Sequence, residues 1–298
     1  MIFNRKQLLG SYGYVLGLLG LIGIAIAISD SPPPVIAETA APRGIVLDAA
    51  KIEAKAAVVY DISRDTFIYS KNAELQLPIA SITKLMTAYV AASASSSAPV
   101  RVSKEALGEE GDSGLYVGEN WRLADLISFT LITSSNDGAA AIASALGSRV
   151  RFVETMNEKA RTLDLKQTYF LNPTGLDISP EQSGGYSSAH DVAALLSHII
   201  SEQPAIIEKT GLSNLAFQSL SGFTHEARNT NKDLESEFAV FASKTGLTDL
   251  AGGNLALAYD AGPGRPMIAV VLGSSAEGRF ADMRLLIKET LEFASTEK

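Results

Sequence analysis

The chain has no cysteine. That excludes disulfides, thiolate nucleophiles and Cys-ligated zinc, and it fits either redox compartment. Histidine is scarce: His190, His198 and His225 are the three present, and none falls in a His-Glu-x-x-His pattern. No Gly-x-Gly-x-x-Gly or Walker pattern occurs. Basic runs are missing after residue 6 and the net charge is -8, which argues against a nucleic-acid partner. What is abundant is apolar: 46% of residues are hydrophobic and 19% charged, the balance of a globular protein with a real core. Any catalysis must therefore rest on hydroxyls, amines and carboxylates, with no metal or cofactor expected.

The first segment indicates a compartment. Arg5 and Lys6 precede an uncharged run over residues 8–28, and Asp30 follows it. Those 21 residues span about 31 Å of helix at ~1.5 Å per residue, enough for a hydrocarbon core of about 30 Å. The basic residues before it place the amino end in the cytoplasm. Residues 1–28 thus read as a transmembrane anchor. A cleavable signal segment is the alternative, with Val35-Ile36-Ala37 as a cleavage site. Either reading exports the rest. Residues 29–45, with Pro32, Pro33 and Pro34, read as a Pro/Ala-rich linker, and 46–298 as one globular domain without internal repeats.

Within that domain, residues 56–60 and 66–69 are β-prone runs around a turn signal. Ile82, Leu85, Met86, Tyr89 and Val90 recur at helical spacing over 81–92. Helices are also expected over 121–132, 137–146, 152–163, 188–200 and 279–294, and strands over 237–243, 254–259 and 267–272. Strands at both ends with helices between predict an α+β domain in which the end strands share one sheet.

Three short patterns carry the chemistry: Ser81-Ile82-Thr83-Lys84, Ser134-Ser135-Asn136 and Lys244-Thr245-Gly246. Ser81 begins its helix, where unpaired N–H groups and the dipole favour negative charge. Lys84 lies one turn on along the same face, so its amine reaches the Ser81 hydroxyl. A serine needs a base to become a nucleophile. Lysine serves only when neutral, which requires burial or a nearby cation, and Lys244 is a candidate for that cation. Ser134 suits a proton relay to a leaving amine, and Asn136 a hydrogen bond to a substrate amide. Both also suit a helix N-cap. Lys244 and Thr245, at a strand edge, suit a substrate carboxylate, and Gly246 lets a ligand approach. The N–H of Leu247 is expected to join that of Ser81 as an oxyanion donor. Two decoys have the same spacing. Ser295-Thr296-Glu297-Lys298 lies at the carboxyl end, and Lys209-Thr210-Gly211 follows a helical run in which Gly211 looks like a left-handed stop.

The three motifs in this order resemble those of penicillin-binding proteins and class A β-lactamases. Over residues 52–296 the chain resembles the serine-type D-alanyl-D-alanine carboxypeptidases, the low-molecular-mass penicillin-binding proteins of peptidase family S11. The resemblance extends to Phe170-Leu171-Asn172-Pro173-Thr174-Gly175-Leu176 and Asn229-Thr230-Asn231. It implies a DD-peptidase/β-lactamase-like fold: a five-stranded antiparallel sheet with helices on both faces and a helical subdomain. It implies Ser81 as acylated nucleophile, Lys84 as base, Ser134 and Asn136 as second-motif partners, and Lys244 and Thr245 as carboxylate binders. Arg279 matches an arginine facing the same carboxylate; a helix-start salt bridge is its other reading. Peptidoglycan stem peptides are the implied substrate and β-lactams the covalent inhibitors, at the outer face of a bacterial membrane. Ser135 stands where glycine is common, and Ser243 where an apolar residue is usual. The alternatives are a D,D-endopeptidase of cross-links and a non-hydrolytic, penicillin-recognising wall-binding module. A β-lactamase is disfavoured because no Glu-x-x-Leu-Asn segment is present to drive deacylation.

Overall fold

Runs such as Ala56-Ala57-Val58-Val59 offer apolar side chains to both sides of an extended backbone, the pattern of a strand covered on two faces. The structure, a computed structural model, describes residues 44–94, 96–111, 114–231 and 234–296. The expected anchor and most of the expected linker lie outside the described residues. Among the described residues no helix is long and apolar enough to cross a membrane.

In chain order the strands are β1 (Ala56–Asp61), β2 (Thr66–Lys71), β3 (Leu77–Pro78), β4 (Val100–Arg101), β5 (Asn120–Trp121), β6 (Tyr169–Phe170), β7 (Gly185–Ser187), β8 (Asn214–Gln218), β9 (Thr224–Arg228), β10 (Val240–Thr248), β11 (Gly252–Asp260) and β12 (Pro266–Ser274). The helices are α1 (Lys84–Ser93), α2 (Leu123–Thr133), α3 (Asn136–Ala145), α4 (Arg149–Thr162), α5 (Ala189–Glu202), α6 (Leu234–Glu237) and α7 (Gly278–Thr296). The main sheet has five strands in the order β10-β11-β12-β1-β2, every neighbour antiparallel. This is the sheet implied by the resemblance.

Alternation splits the apolar residues between two cores. Val58, Ala256 and Val270 align across three strands and face α1, α2 and α5. Their neighbours Val59, Leu257 and Ala269 face Phe280, Met283, Leu286 and Ile287 of α7. Each fully buried large aliphatic or aromatic side chain contributes about 1.5–3 kcal/mol, and both faces hold many. Helices α1 to α4 pack on one another beside the sheet as the helical subdomain. Buried polar groups sit among this apolar surface, Asn254 and Asp282 among them. Asn254 donates to Pro78 O at 3.2 Å and accepts from Gly273 N at 2.7 Å. The Asp282 carboxylate accepts from the N–H groups of Glu53 and Ala54 and from the Ser274 hydroxyl.

Three local readings need correction. The strand expected over 237–243 starts at Val240, because Leu234–Glu237 forms a helical turn, and it runs on to Thr248. Lys-Thr-Gly therefore lies inside a strand, not after one. The helix expected from Ser81 begins as a 3-10 turn, Ala80–Thr83, and becomes α-helical at Lys84. Gly211 ends a 3-10 turn (Glu208–Gly211) without a positive φ, so it is not a left-handed stop.

Candidate active site

The backbone into Ser81 is bent sharply. Ala80 has φ 47°, a left-handed conformation that costs an alanine roughly 1–2 kcal/mol. Two glycines let other segments close on this bend. A Cβ at Gly175, itself at φ 81°, would lie 1.9 Å from Ala80 O. One at Gly246 would lie 2.8 Å from Ile79 O and 3.3 Å from Ser81 N. The loop after β6 and strand β10 thus reach the backbone at Ser81 directly.

Lys84 is fully buried, and its Nζ has three oxygen neighbours: Ser81 Oγ at 2.9 Å, Asn136 Oδ1 at 2.7 Å and Thr174 O at 2.7 Å. The last two are carbonyl oxygens and only accept. The orientation of the Asn136 amide is set by its Nδ2, which donates to Glu110 O at 2.6 Å. A neutral amine has two hydrogens, which those two oxygens take. Its lone pair then faces the Ser81 hydroxyl. Burial pushes the Lys84 amine down to about 7, with Glu109 opposing the shift. Of the two expected causes, burial is the one that lowers Lys84, and the charge of Lys244 does not enter.

Ser134 is the second hydroxyl. It caps the C-terminus of α2 at φ 60°. Ser135, the residue replacing glycine, caps α3 by accepting from Gly138 N at 2.8 Å. Lys244 Nζ donates to Ser134 Oγ at 2.9 Å and to Thr245 O at 2.9 Å. Burial, then the nearby Lys84 and Arg279, holds the Lys244 amine well below the ordinary lysine value. The site therefore contains two hydroxyl–amine pairs, and Asn136 accepts from the amine of the first.

On β10, an edge strand, Thr245 Oγ1 lies 2.6 Å from Thr230 Oγ1, and Arg279 Nη1 donates to Gly246 O at 2.5 Å. Arg279 is buried, and its Nε has no hydrogen-bond partner among the described residues. Burial holds its guanidinium below the ordinary arginine value. Leu247 follows on the same strand with its side chain half exposed. Ser243 is buried: its N–H donates to Thr210 Oγ1, its hydroxyl donates to Thr210 O, and it accepts from Asn231 Nδ2. Its hydroxyl ties β10 to the segment holding the decoy Lys-Thr-Gly. Lys209 of that decoy points elsewhere, 3.9 Å from Asp125 Oδ1.

The fold brings Ser81, Lys84, Ser134, Asn136, Lys244, Thr245, Gly246 and Arg279 into one region. The roles of the Thr174 carbonyl and the Thr230 hydroxyl were not anticipated, although both lie in segments that carry the resemblance.

A bent serine turn beside a two-faced antiparallel sheet, with one buried amine per hydroxyl, matches the penicillin-binding class of serine enzymes. Penicillin-Binding Protein D2 from Listeria monocytogenes, solved with cefotaxime bound, has the same fold: TM-score 0.69 at 29% identity, covering 80% of this chain and 97% of that one. A family model described as D-alanyl-D-alanine carboxypeptidase, peptidase S11, matches residues 43–276, and the chain belongs to that family. A D-alanyl-D-alanine endopeptidase from Pseudomonas aeruginosa is 31% identical over 240 residues, 78% of this chain and 72% of the relative. The D-alanyl-D-alanine carboxypeptidase DacF from Bacillus subtilis is 32% identical over 231 residues, 75% of this chain. The chain spans 58% of the length of that relative.

Proposed function

We propose that this chain is a serine D-Ala-D-Ala carboxypeptidase that trims peptidoglycan stem peptides through an acyl-enzyme on Ser81. The observation that supports this reading is the Lys84 amine, buried, lowered to about 7 and, when neutral, offering its lone pair to Ser81. Lys84 takes the Ser81 proton as Oγ attacks the carbonyl carbon between the two terminal D-alanines. The N–H groups of Ser81 and Leu247 hold the oxyanion. The C–N bond breaks, and Ser134 relays a proton from lysine to the departing nitrogen. Water then attacks the ester under the same base, and Ser81 recovers its proton.

Lys244, Thr245 and Arg279 receive the terminal carboxylate. Its arrival favours the ammonium form of Lys244, because an adjacent anion stabilises the charged amine. That charge is held back in the empty site by burial and by two cationic neighbours. β-Lactams present a strained amide and a carboxylate with the same spacing, so they acylate Ser81 and stay. The enzyme works at the outer face of a bacterial membrane, attached through its amino-terminal segment or released by cleavage of it.

The test is D-alanine release from a pentapeptide ending in D-Ala-D-Ala, with mass spectrometry of a penicillin adduct. We expect release by wild type, none by Ser81→Ala, and the adduct on Ser81. Undiminished release by Ser81→Ala would refute the assignment. A second reading, D,D-endopeptidase, is favoured by the 72% share of the Pseudomonas aeruginosa endopeptidase that the chain covers, against 58% of the carboxypeptidase. Digestion of cross-linked muropeptides separates the two.

A further inference from the structure

A second cluster of chemically capable side chains lies outside the catalytic residues. Glu74, His190 and Asp191 bring one ligand atom each to within 4.8 Å of the others. Glu74 belongs to the segment leading into the nucleophile, and His190 and Asp191 open α5. His190 Nδ1 lies 3.4 Å from Asp191 Oδ1 and 3.7 Å from Glu74 Oε1. Four ligands at zinc distances, about 2.1 Å from a tetrahedral ion, are separated by about 3.4 Å. Two of the three edges already have nearly that length. The third closes by rotation of Glu74, whose side chain is 63% exposed.

Each fixed ligand is also held from behind. Asp191 is buried, and its Oδ2 accepts from Gln167 N at 2.7 Å and from Thr168 Oγ1 at 2.8 Å. Its Oδ1 is turned toward His190. The His190 ring packs on Phe67 with centroids 4.8 Å apart, and its backbone N–H donates to Ala73 O at 3.1 Å. Such support sets ligand direction in metal sites. His190 also lines a cavity of about 280 Å³ with Tyr60, Asp65 and His198.

The geometry points to a site for one divalent transition-metal ion of the zinc type, bound by Glu74, His190 and Asp191. One imidazole and two carboxylates suit zinc, whereas magnesium and calcium prefer all-oxygen shells. The ion is structural: it staples the approach to Ser81 onto α5, the helix packed beneath the sheet. This inference does not rest on the proposed reaction.

The experiment titrates chelator-stripped full-length protein with zinc chloride by calorimetry and follows thermal unfolding in parallel. We expect one equivalent bound at micromolar concentration and a rise in melting temperature that magnesium at the same concentration does not give. Glu74→Gln and His190→Ala each weaken binding at least about tenfold. His198→Ala, which breaks the neighbouring His198–Glu202 contact at 3.4 Å, leaves binding unchanged. Far-ultraviolet circular dichroism serves as the check that each variant is folded. Absence of zinc binding, an equal shift with magnesium, undiminished binding in His190→Ala or Glu74→Gln, or loss in His198→Ala would each overturn the site. Should His190→Ala fail to fold, Glu74→Gln alone decides, since its side chain lies at the surface.

Discussion

The pH profile of Ser81 acylation is the sharpest test of the lysine geometry. Burial pushes Lys84 from 10.5 to about 7. At pH 7 about half the molecules then hold a neutral amine, against roughly one in 3,000 for an ordinary lysine, a difference worth roughly 5 kcal/mol. The rate constant for acylation by a fluorescent penicillin at sub-saturating concentration reports the free enzyme. It should climb about tenfold per unit from pH 5, bend near 7 and level by 8, a total gain of about 90-fold for one deprotonation. Folding does not produce this rise. The native pKa lies below the unfolded value, so the unfolded chain binds more protons between about pH 7 and 10.5, and stability increases with pH only through that window. Below pH 7 the penalty is constant. Emission from the single tryptophan, Trp121, buried in the core, monitors the fold across the range. A profile still rising tenfold per unit at pH 9, or flat from pH 5, would refute a buried neutral base.

Three further perturbations test the arrangement. Ser134→Ala removes the hydroxyl beside Lys244 and should lower kcat by about 10²–10⁴-fold with circular dichroism unchanged; a loss under tenfold argues against a proton relay. Arg279→Ala should raise KM for a D-Ala-terminated peptide more than it lowers kcat, the mark of lost ground-state binding; an unchanged KM excludes the arginine from carboxylate recognition. Gly175→Ala places a Cβ 1.9 Å from Ala80 O at φ 81° and should cost more than about 2 kcal/mol in urea unfolding. It should also slow acylation, and an unshifted urea midpoint would show that the two segments are not locked together.

Much of this was legible in the residues. The spacing of Ser81 and Lys84, followed by an apolar helical stripe, announces an amine beside a hydroxyl. The strand runs of β1, β11 and β12 are readable because β-branched and small apolar residues persist without interruption. Thr174 was not readable as a Lys84 partner, since its contribution is a backbone carbonyl and any residue type supplies one. The β8–β9 hairpin escaped because its strands mix Asn, Gln, Thr, Glu and Arg with few apolar residues, and pairing rather than propensity builds it. The length of β10 escaped for a similar reason. Lys-Thr-Gly has little strand preference, and its extended state is imposed by pairing with β11.

A sheet greasy on both sides has one weakness. Sliding a strand by a single position normally exposes its oily face to water and is rejected at once. Here such a slide exchanges one oily side for another, so hydrophobicity hardly penalises the error. Alignment falls instead to hydrophilic latches such as Asn254, Asp282 and Ser243, whose bonds exist in one frame only. Lys244 faces Ser134 from a strand bonded to the one carrying Asn254. The aim of the Lys244 amine at Ser134 is thus indexed by an amide on the neighbouring strand.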